Sequence, residues 1–235
     1  MPSSLDSKKA YIGDELTLFS HATNWKSYWS AALRPLIIGP VLEVGAGIGS
    51  NLSLLRTSPI DWTALEPDTS QCDQIQKQIK DHNVKVVSGY LDHPEILSDY
   101  QTILYIDVLE HIEQDGTEIA LAFSKLAVDG KLIILAPAHQ SLFSQFDKAV
   151  GHFRRYNKTI LKALTPPEAK IEKLFYLDSV GLLASLANSW LLKSSMPTTG
   201  QVWLWDKLMI PVSRILDRLV ARKLGKTIVI VWSKP

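Results

Sequence analysis

One cysteine in 235 residues excludes an internal disulfide, and Cys72 standing alone leads us to expect a reducing, cytoplasmic setting. The six histidines join no cysteine at the spacing of a zinc site, so no metal is expected. No uncharged run reaches the ~18–20 residues that span a bilayer, and the opening segment MPSSLDSKKAYIGDEL lacks the apolar core of a signal peptide. Internal repeats and low-complexity linkers are missing too, which leads to one domain over 1–235. What is present is ordinary globular composition, 46% hydrophobic and 21% charged, in a chain long enough to bury about 70–75% of its unfolded surface.

Neither sign of charge dominates the whole, at a net +1, but the halves differ. Residues 1–150 carry 11 Lys/Arg against 19 Asp/Glu, and residues 151–235 carry 14 against 5. A basic surface in the last third follows, suited to an anionic molecule or an acidic membrane. Nucleic acid is not expected, because the aromatics there do not interleave with the cations as on a stacking platform.

The stretch Val41-Leu42-Glu43-Val44-Gly45-Ala46-Gly47-Ile48-Gly49-Ser50 reads as a buried strand, a glycine turn and a helix beginning near Asn51, whose free amides would face a ligand. Before it, 1–38 reads as a helical prefix, with helix signals from Asp14 to Leu36, Asn24 as N-cap and Trp25, Tyr28, Trp29 and Leu33 at helical spacing. After it, strands are expected at 61–65, 84–87, 102–106 and 131–136, with a helix capped by Ser70 and Asp73 and another carrying Ile119, Phe123 and Leu126. This alternation predicts an α/β fold, a Rossmann-like doubly wound seven-stranded sheet with its last strand antiparallel and a helical C-terminal cap. Residues 39–136 form the cofactor core, 137–225 the substrate-side segments and cap, and 226–235 the last strand. Within the cap, Pro211 is expected to open a long helix with Leu208, Val212, Ile215 and Leu219 on one side and Lys207, Arg214, Arg218 and Arg222 on the other.

Glu66 ends the second strand, where one carboxylate can accept both hydroxyls of a ribose. A dinucleotide fingerprint starting at Gly45 requires glycine at position 50, which is Ser50. The pattern Glu43-x-Gly45-x-Gly47-x-Gly49 with Glu66 resembles class I S-adenosylmethionine-dependent methyltransferases. Asp107-Val108-Leu109-Glu110-His111-Ile112 resembles the DVLEHI signature of the ubiquinone/menaquinone-biosynthesis type, and the run GHFRRY is similar to a subgroup of them.

That resemblance implies S-adenosyl-L-methionine as cofactor and S-adenosyl-L-homocysteine as product. It assigns the methionine part to Glu43, Gly45 and Gly47, the ribose to Glu66, and the adenine to Tyr90 and Leu91. Ala46, Pro67, Asp107, Val108 and the prefix residue Tyr28 complete the expected cofactor contacts. Family members often carry an Asp near the adenine, where this chain has Gly89-Tyr90-Leu91 and then Asp92.

Methyl transfer depends chiefly on alignment, and some acceptors need a base. His111, His152 and Tyr156 are the candidate catalytic side chains, and Arg154 and Arg155 the candidate substrate forks for a carboxylate or phosphate. The competing roles are that His111 fixes its own turn and that Arg154 or Arg155 pairs with Asp147. The expected partner is a small-molecule acceptor, apolar or partly anionic. The uncharged segment 179–192, Trp203, Trp205 and the basic helix after them suit either core packing or a peripheral membrane contact. The other functions weighed are an NAD-dependent oxidoreductase and a non-catalytic adenosine-ligand-binding or docking protein.

Overall fold

A computed structural model of the protein describes residues 21–79, 81–191 and 198–235. Seven strands form one sheet: β1 (Val41–Val44), β2 (Trp62–Glu66), β3 (Val84–Ser88), β4 (Tyr100–Ile106), β5 (Leu126–Pro137), β6 (Lys170–Leu177) and β7 (Thr227–Ser233). Their order is β3-β2-β1-β4-β5-β7-β6. The first five pair in parallel, and β7 enters antiparallel between β5 and β6. The doubly wound seven-stranded sheet with an antiparallel last strand is therefore present.

The helices, in chain order, are α1 (Thr23–Leu33), α2 (Leu52–Leu55), α3 (Thr69–Gln78), α4 (Asp115–Ser124), α5 (Gln145–Ala149), α6 (Lys158–Ala163), α7 (Ser179–Leu191), α8 (Thr199–Leu204) and α9 (Ile210–Leu219). Successive strand residues point to opposite faces, and each face carries its own core. Leu42, Ile103, Tyr105, Leu132 and Ile134 pack with Ile119, Ala122 and Phe123 of α4. Val41, Trp62, Leu104 and Ile133 pack on the other face with Trp29 and Leu33 of α1 and Ile75 of α3. Full burial of a large apolar side chain contributes about 1.5–3 kcal/mol, so these two layers supply the main force that closes the fold.

Between β1 and β4 the chain direction of the winding reverses, which opens a crevice at the carboxyl ends of both strands. No helix among the described residues is long and apolar enough to cross a membrane.

Several local expectations change. Asn24 lies inside α1 and donates from Nδ2 to the Asp206 carbonyl, so it caps nothing. Helix α3 is capped by Asp68, whose carboxylate accepts from the Ser70 and Gln71 amides, and not by Ser70 with Asp73. Leu126 starts β5 and lies beyond the helix of Ile119 and Phe123. Of the first expected helix, the part before residue 21 lies outside the described residues, as do Met196 and Pro197 of the connector.

The largest change is in the cap. Pro211 stands in the first turn of α9, as expected, but α8 leads into that helix through a wide turn at Trp205–Met209. Leu208, Val212, Ile215 and Leu219 stand exposed, Leu219 by 76%. The inward side of the same helices carries Val202, Ile210 and three polar groups, Asp206, Ser213 and Asp217. Core packing therefore does not explain the apolar stripe. Hydrogen bonds turn the other side inward: the Trp25 amide donates to Asp206, the Tyr28 hydroxyl to Asp217, and Ser213 Oγ to Asp178.

Candidate functional site

The glycine turn follows β1 into the crevice. Gly45 and Gly47 adopt positive φ of 68° and 56°, and a Cβ on Gly45 would lie 2.6 Å from Val108 Cγ2. Only glycine permits this backbone so close to the turn after β4. The Gly45 and Ala46 amides donate to the Leu65 carbonyl, and the Gly47 amide donates to Glu66 Oε2 at 2.8 Å. Glu66 Oε1 accepts from the Asp68 amide at 2.9 Å. The carboxylate at the end of β2 is thereby held rigidly across the turn from β1. Helix α2 is a single turn, so backbone groups offered to a ligand come from the loop itself.

Glu43 supports the loop from beneath. It is 1% exposed, with Asn51 Nδ2 donating to one oxygen at 2.9 Å and Trp62 Nε1 to the other at 3.0 Å. Burial outweighs these two bonds and pushes its pKa up to about 7.

A cavity of about 2360 Å³ lies over the sheet edge. Drug-sized ligands occupy about 300–1,000 Å³, so there is room for a cofactor and a second molecule. Gly45, Ala46, Gly47, Glu66, Pro67, Tyr90, Leu91, Asp107, Val108, His111, His152 and Arg155 all line it. Trp25 and Trp29 close it from α1, and Ala184, Val202 and Trp205 from the cap helices.

The far wall is polar. Glu110 and His111 sit on the helical turn Leu109–His111, with Glu110 1% exposed. The His111 and His152 rings meet edge to face at 4.6 Å between centroids. Desolvation, aided by His152, pushes the His111 pKa down to about 4, so its ring is neutral near pH 7. His152 Nδ1 lies 2.9 Å from Asp147 Oδ1. The Arg155 fork takes both Asp147 oxygens, at 2.7 and 2.9 Å, and the Ser144 amide and hydroxyl also donate to that carboxylate. These donors hold the Asp147 pKa below the usual carboxylate range despite burial.

Five expected site residues are placed elsewhere or otherwise engaged. Glu43 and Tyr28 do not line the cavity; Tyr28 donates its hydroxyl to Asp217 at 2.7 Å, tying α1 to α9. Tyr156 is fully buried, donating to the Leu109 carbonyl and Asp115 Oδ2. Arg154 pairs with Asp115 at 2.8 Å and donates to the Glu113 carbonyl. Arg155 reaches the cavity wall, yet its fork is committed to Asp147, the pairing that competed with a substrate role.

Sequence reasoning did not single out Glu110 as a polar wall group, or Lys226 at the cavity wall beside the start of β7. For Lys226 no local signal existed: its ammonium lies over the Trp205 ring at 5.2 Å, and only the tertiary fold joins these residues. His139, likewise without a partner in sequence, stacks on Tyr176 with Nε2 2.9 Å from the Gly225 carbonyl.

No family model matches the chain, and no curated protein does. Solved structures do. A SAM-dependent methyltransferase from Thermotoga maritima superposes with a TM-score of 0.62 at 14% identity, covering 95% of this chain and 96% of that one. Coclaurine N-methyltransferase bound to N-methylheliamine and SAH gives 0.57 at 15%, covering 86% and 71%. The [4+2]-cyclase SpnF gives 0.61 at 13%, covering 97% and 96%. The chain thus has the class I methyltransferase fold, and the cyclase shows that this fold also carries other chemistry.

Proposed function

We propose that the protein is an S-adenosylmethionine-dependent methyltransferase acting on a small organic acceptor. The observation that carries this reading is the Glu66 carboxylate held against the Gly47 amide at the switch point, at the mouth of a cavity with room for two molecules. The cradle that a Cβ on Gly45 would fill fits a ligand lying against the loop backbone.

When bound, the cofactor supplies a methyl group activated on a sulfonium sulfur. The Gly45–Gly47 backbone gives close approach, and Glu66 accepts the ribose hydroxyls while its amide bonds keep it oriented. Leu91, buried, and Tyr90, 71% exposed, flank the adenine. Asp107 and Val108 close the cavity between loop and acceptor wall. Glu43 acts indirectly, by holding Asn51 and hence the end of the loop. On the acceptor side, His111 and His152 present imidazole to the second molecule, and Tyr156 and Arg154 position the turn that carries His111.

A second feature favours a lipophilic acceptor taken from a membrane surface. The exposed stripe of Leu208, Val212, Ile215 and Leu219 adjoins Lys207, Arg214, Arg218 and Arg222, the pattern of an interfacial helix on anionic lipid. Val202, Leu204 and Trp205 of the same helical run line the cavity, which puts its wall beside that surface. Flotation with anionic liposomes is expected for the native chain and reduced in Ile215→Glu/Leu219→Glu. No flotation of the native chain removes the membrane step and leaves the methyl-transfer reading intact.

Thermal unfolding with S-adenosylmethionine, S-adenosylhomocysteine and NAD tests the main reading. A ligand at ~100 times its dissociation constant adds about 2.7 kcal/mol of stability. The first two are expected to stabilise and NAD is not. Stabilisation by NAD alone overturns the reading in favour of an oxidoreductase, and binding of the first two without turnover on any acceptor favours a docking protein.

A further inference from the structure

The acceptor wall, where His111 and His152 face the second molecule, also carries a donor set of metal-ligating type. Glu110, His111 and His152 each offer a ligand atom, and these atoms lie within 4.8 Å of one another. We infer that Glu110, His111 and His152 bind one divalent transition-metal ion whose remaining coordination positions open on the cavity. All three residues line that cavity.

The backbone brings the set together. The Phe153 amide donates to the Glu110 carbonyl at 2.8 Å, and the His152 amide to the Asp147 carbonyl at 2.8 Å. The two ligand-bearing segments are therefore pinned side by side. The orientation of His152 is set from behind: Asp147 Oδ1 sits 2.9 Å from Nδ1, which makes that nitrogen the proton donor. The opposite nitrogen, Nε2, then presents a lone pair toward Glu110, whose Oε1 is 3.9 Å away. A carboxylate behind a ligating imidazole is the usual way to fix tautomer and ring plane at a metal. Asp147 itself is immobilised by Arg155 and Ser144.

Two imidazoles and one carboxylate suit zinc and the later first-row divalent ions rather than calcium or magnesium, which prefer all-oxygen sets. Three protein ligands leave a position free, the pattern of catalytic and not of structural zinc. Ligand atoms around an ion at about 2.0–2.2 Å stand about 3–3.5 Å apart, so the set closes by side-chain rotations of about 1 Å or less. The competing arrangement is His152 lying between Asp147 and Glu110 with no ion.

Ion binding does not depend on the methyl-transfer reading, although an acceptor oxygen on the open position would. The test accordingly uses no cofactor or acceptor. Chelator-stripped protein is titrated with Zn2+ by calorimetry and with Co2+ by visible absorption. One equivalent is expected, with cobalt bands of a low-coordinate N/O site. His111→Ala and His152→Gln are each expected to lower Zn2+ affinity by about 100-fold or more, and His82→Ala, on the exposed surface, to leave it unchanged. Among the described residues the His111 ring makes no hydrogen bond, so its variant remains informative if His152→Gln misfolds. Absence of binding to the native chain, or full binding in His111→Ala, overturns the site.

Discussion

The two flanks of the sheet are built by different means. On the β1–β3 flank, position is set by backbone: glycines at positive φ, amides turned onto Glu66, and a loop braced by the nearby Glu43. On the β4–β7 flank it is set by buried side-chain charge. Asp178 accepts from the Gly181 amide, Ser213 Oγ and Trp205 Nε1; Asp217 accepts from the Asp178 and Ser179 amides and the Tyr28 hydroxyl. Both aspartates are wholly buried. The comparison teaches that a loop closed by glycines and by bonds to the very next strand can be read from its residues, whereas a cap held by carboxylates reaching across the chain cannot.

The largest effect should come from the cap. Asp217→Ala leaves two buried amides and a tyrosine hydroxyl without their acceptor and is expected to cost about 3–5 kcal/mol in urea unfolding. A loss under about 1 kcal/mol would show that the charged anchors are incidental and erase the contrast.

Next is the pH dependence from Glu43. Its folded pKa, about 7, lies above its unfolded value of 4.5. The folded chain keeps a proton that the unfolded chain releases, so this group's contribution to stability falls as pH rises from about 4.5 to 7, by about 3 kcal/mol. Glu43→Gln should remove that slope, whatever its absolute stability. Denaturant melts at a series of pH values measure it, and an identical slope in the variant would mean the loop's support does not titrate.

On the ligand side, Glu66→Ala is expected to weaken S-adenosylhomocysteine binding by about 1.5–3 kcal/mol, the scale of a hydrogen bond to a charged group. Unchanged affinity in calorimetry would reduce Glu66 to a brace for the glycine turn. Smallest is Tyr90→Ala: the side chain is 71% exposed, so stability should stay within about 0.5 kcal/mol of the native value by chemical denaturation. A larger loss would mean that this flank also relies on side-chain packing.

Residues along one segment were the readable ones. The runs around Leu42, Ile103 and Ile133 announced buried parallel strands. Helix periodicity also found the amphipathic α9 and put Leu208, Val212, Ile215 and Leu219 on one side, but it left open whether that side faces the core, since a moment gives a direction only relative to the helix. Tyr28 and Tyr156 looked free to meet ligands because their acceptors, Asp217 and Asp115, lie far off in sequence.

By itself, then, the sequence determined the winding of strands and helices, the glycine turn and the carboxylate at the end of β2, because each depends on neighbours a few residues away or on one period. Only the tertiary structure decided which face of the cap looks outward, where Arg154 and Arg155 spend their charge, and that Glu110, His111 and His152 share one wall. Those outcomes depend on burial and on partners from distant segments, which no local pattern encodes.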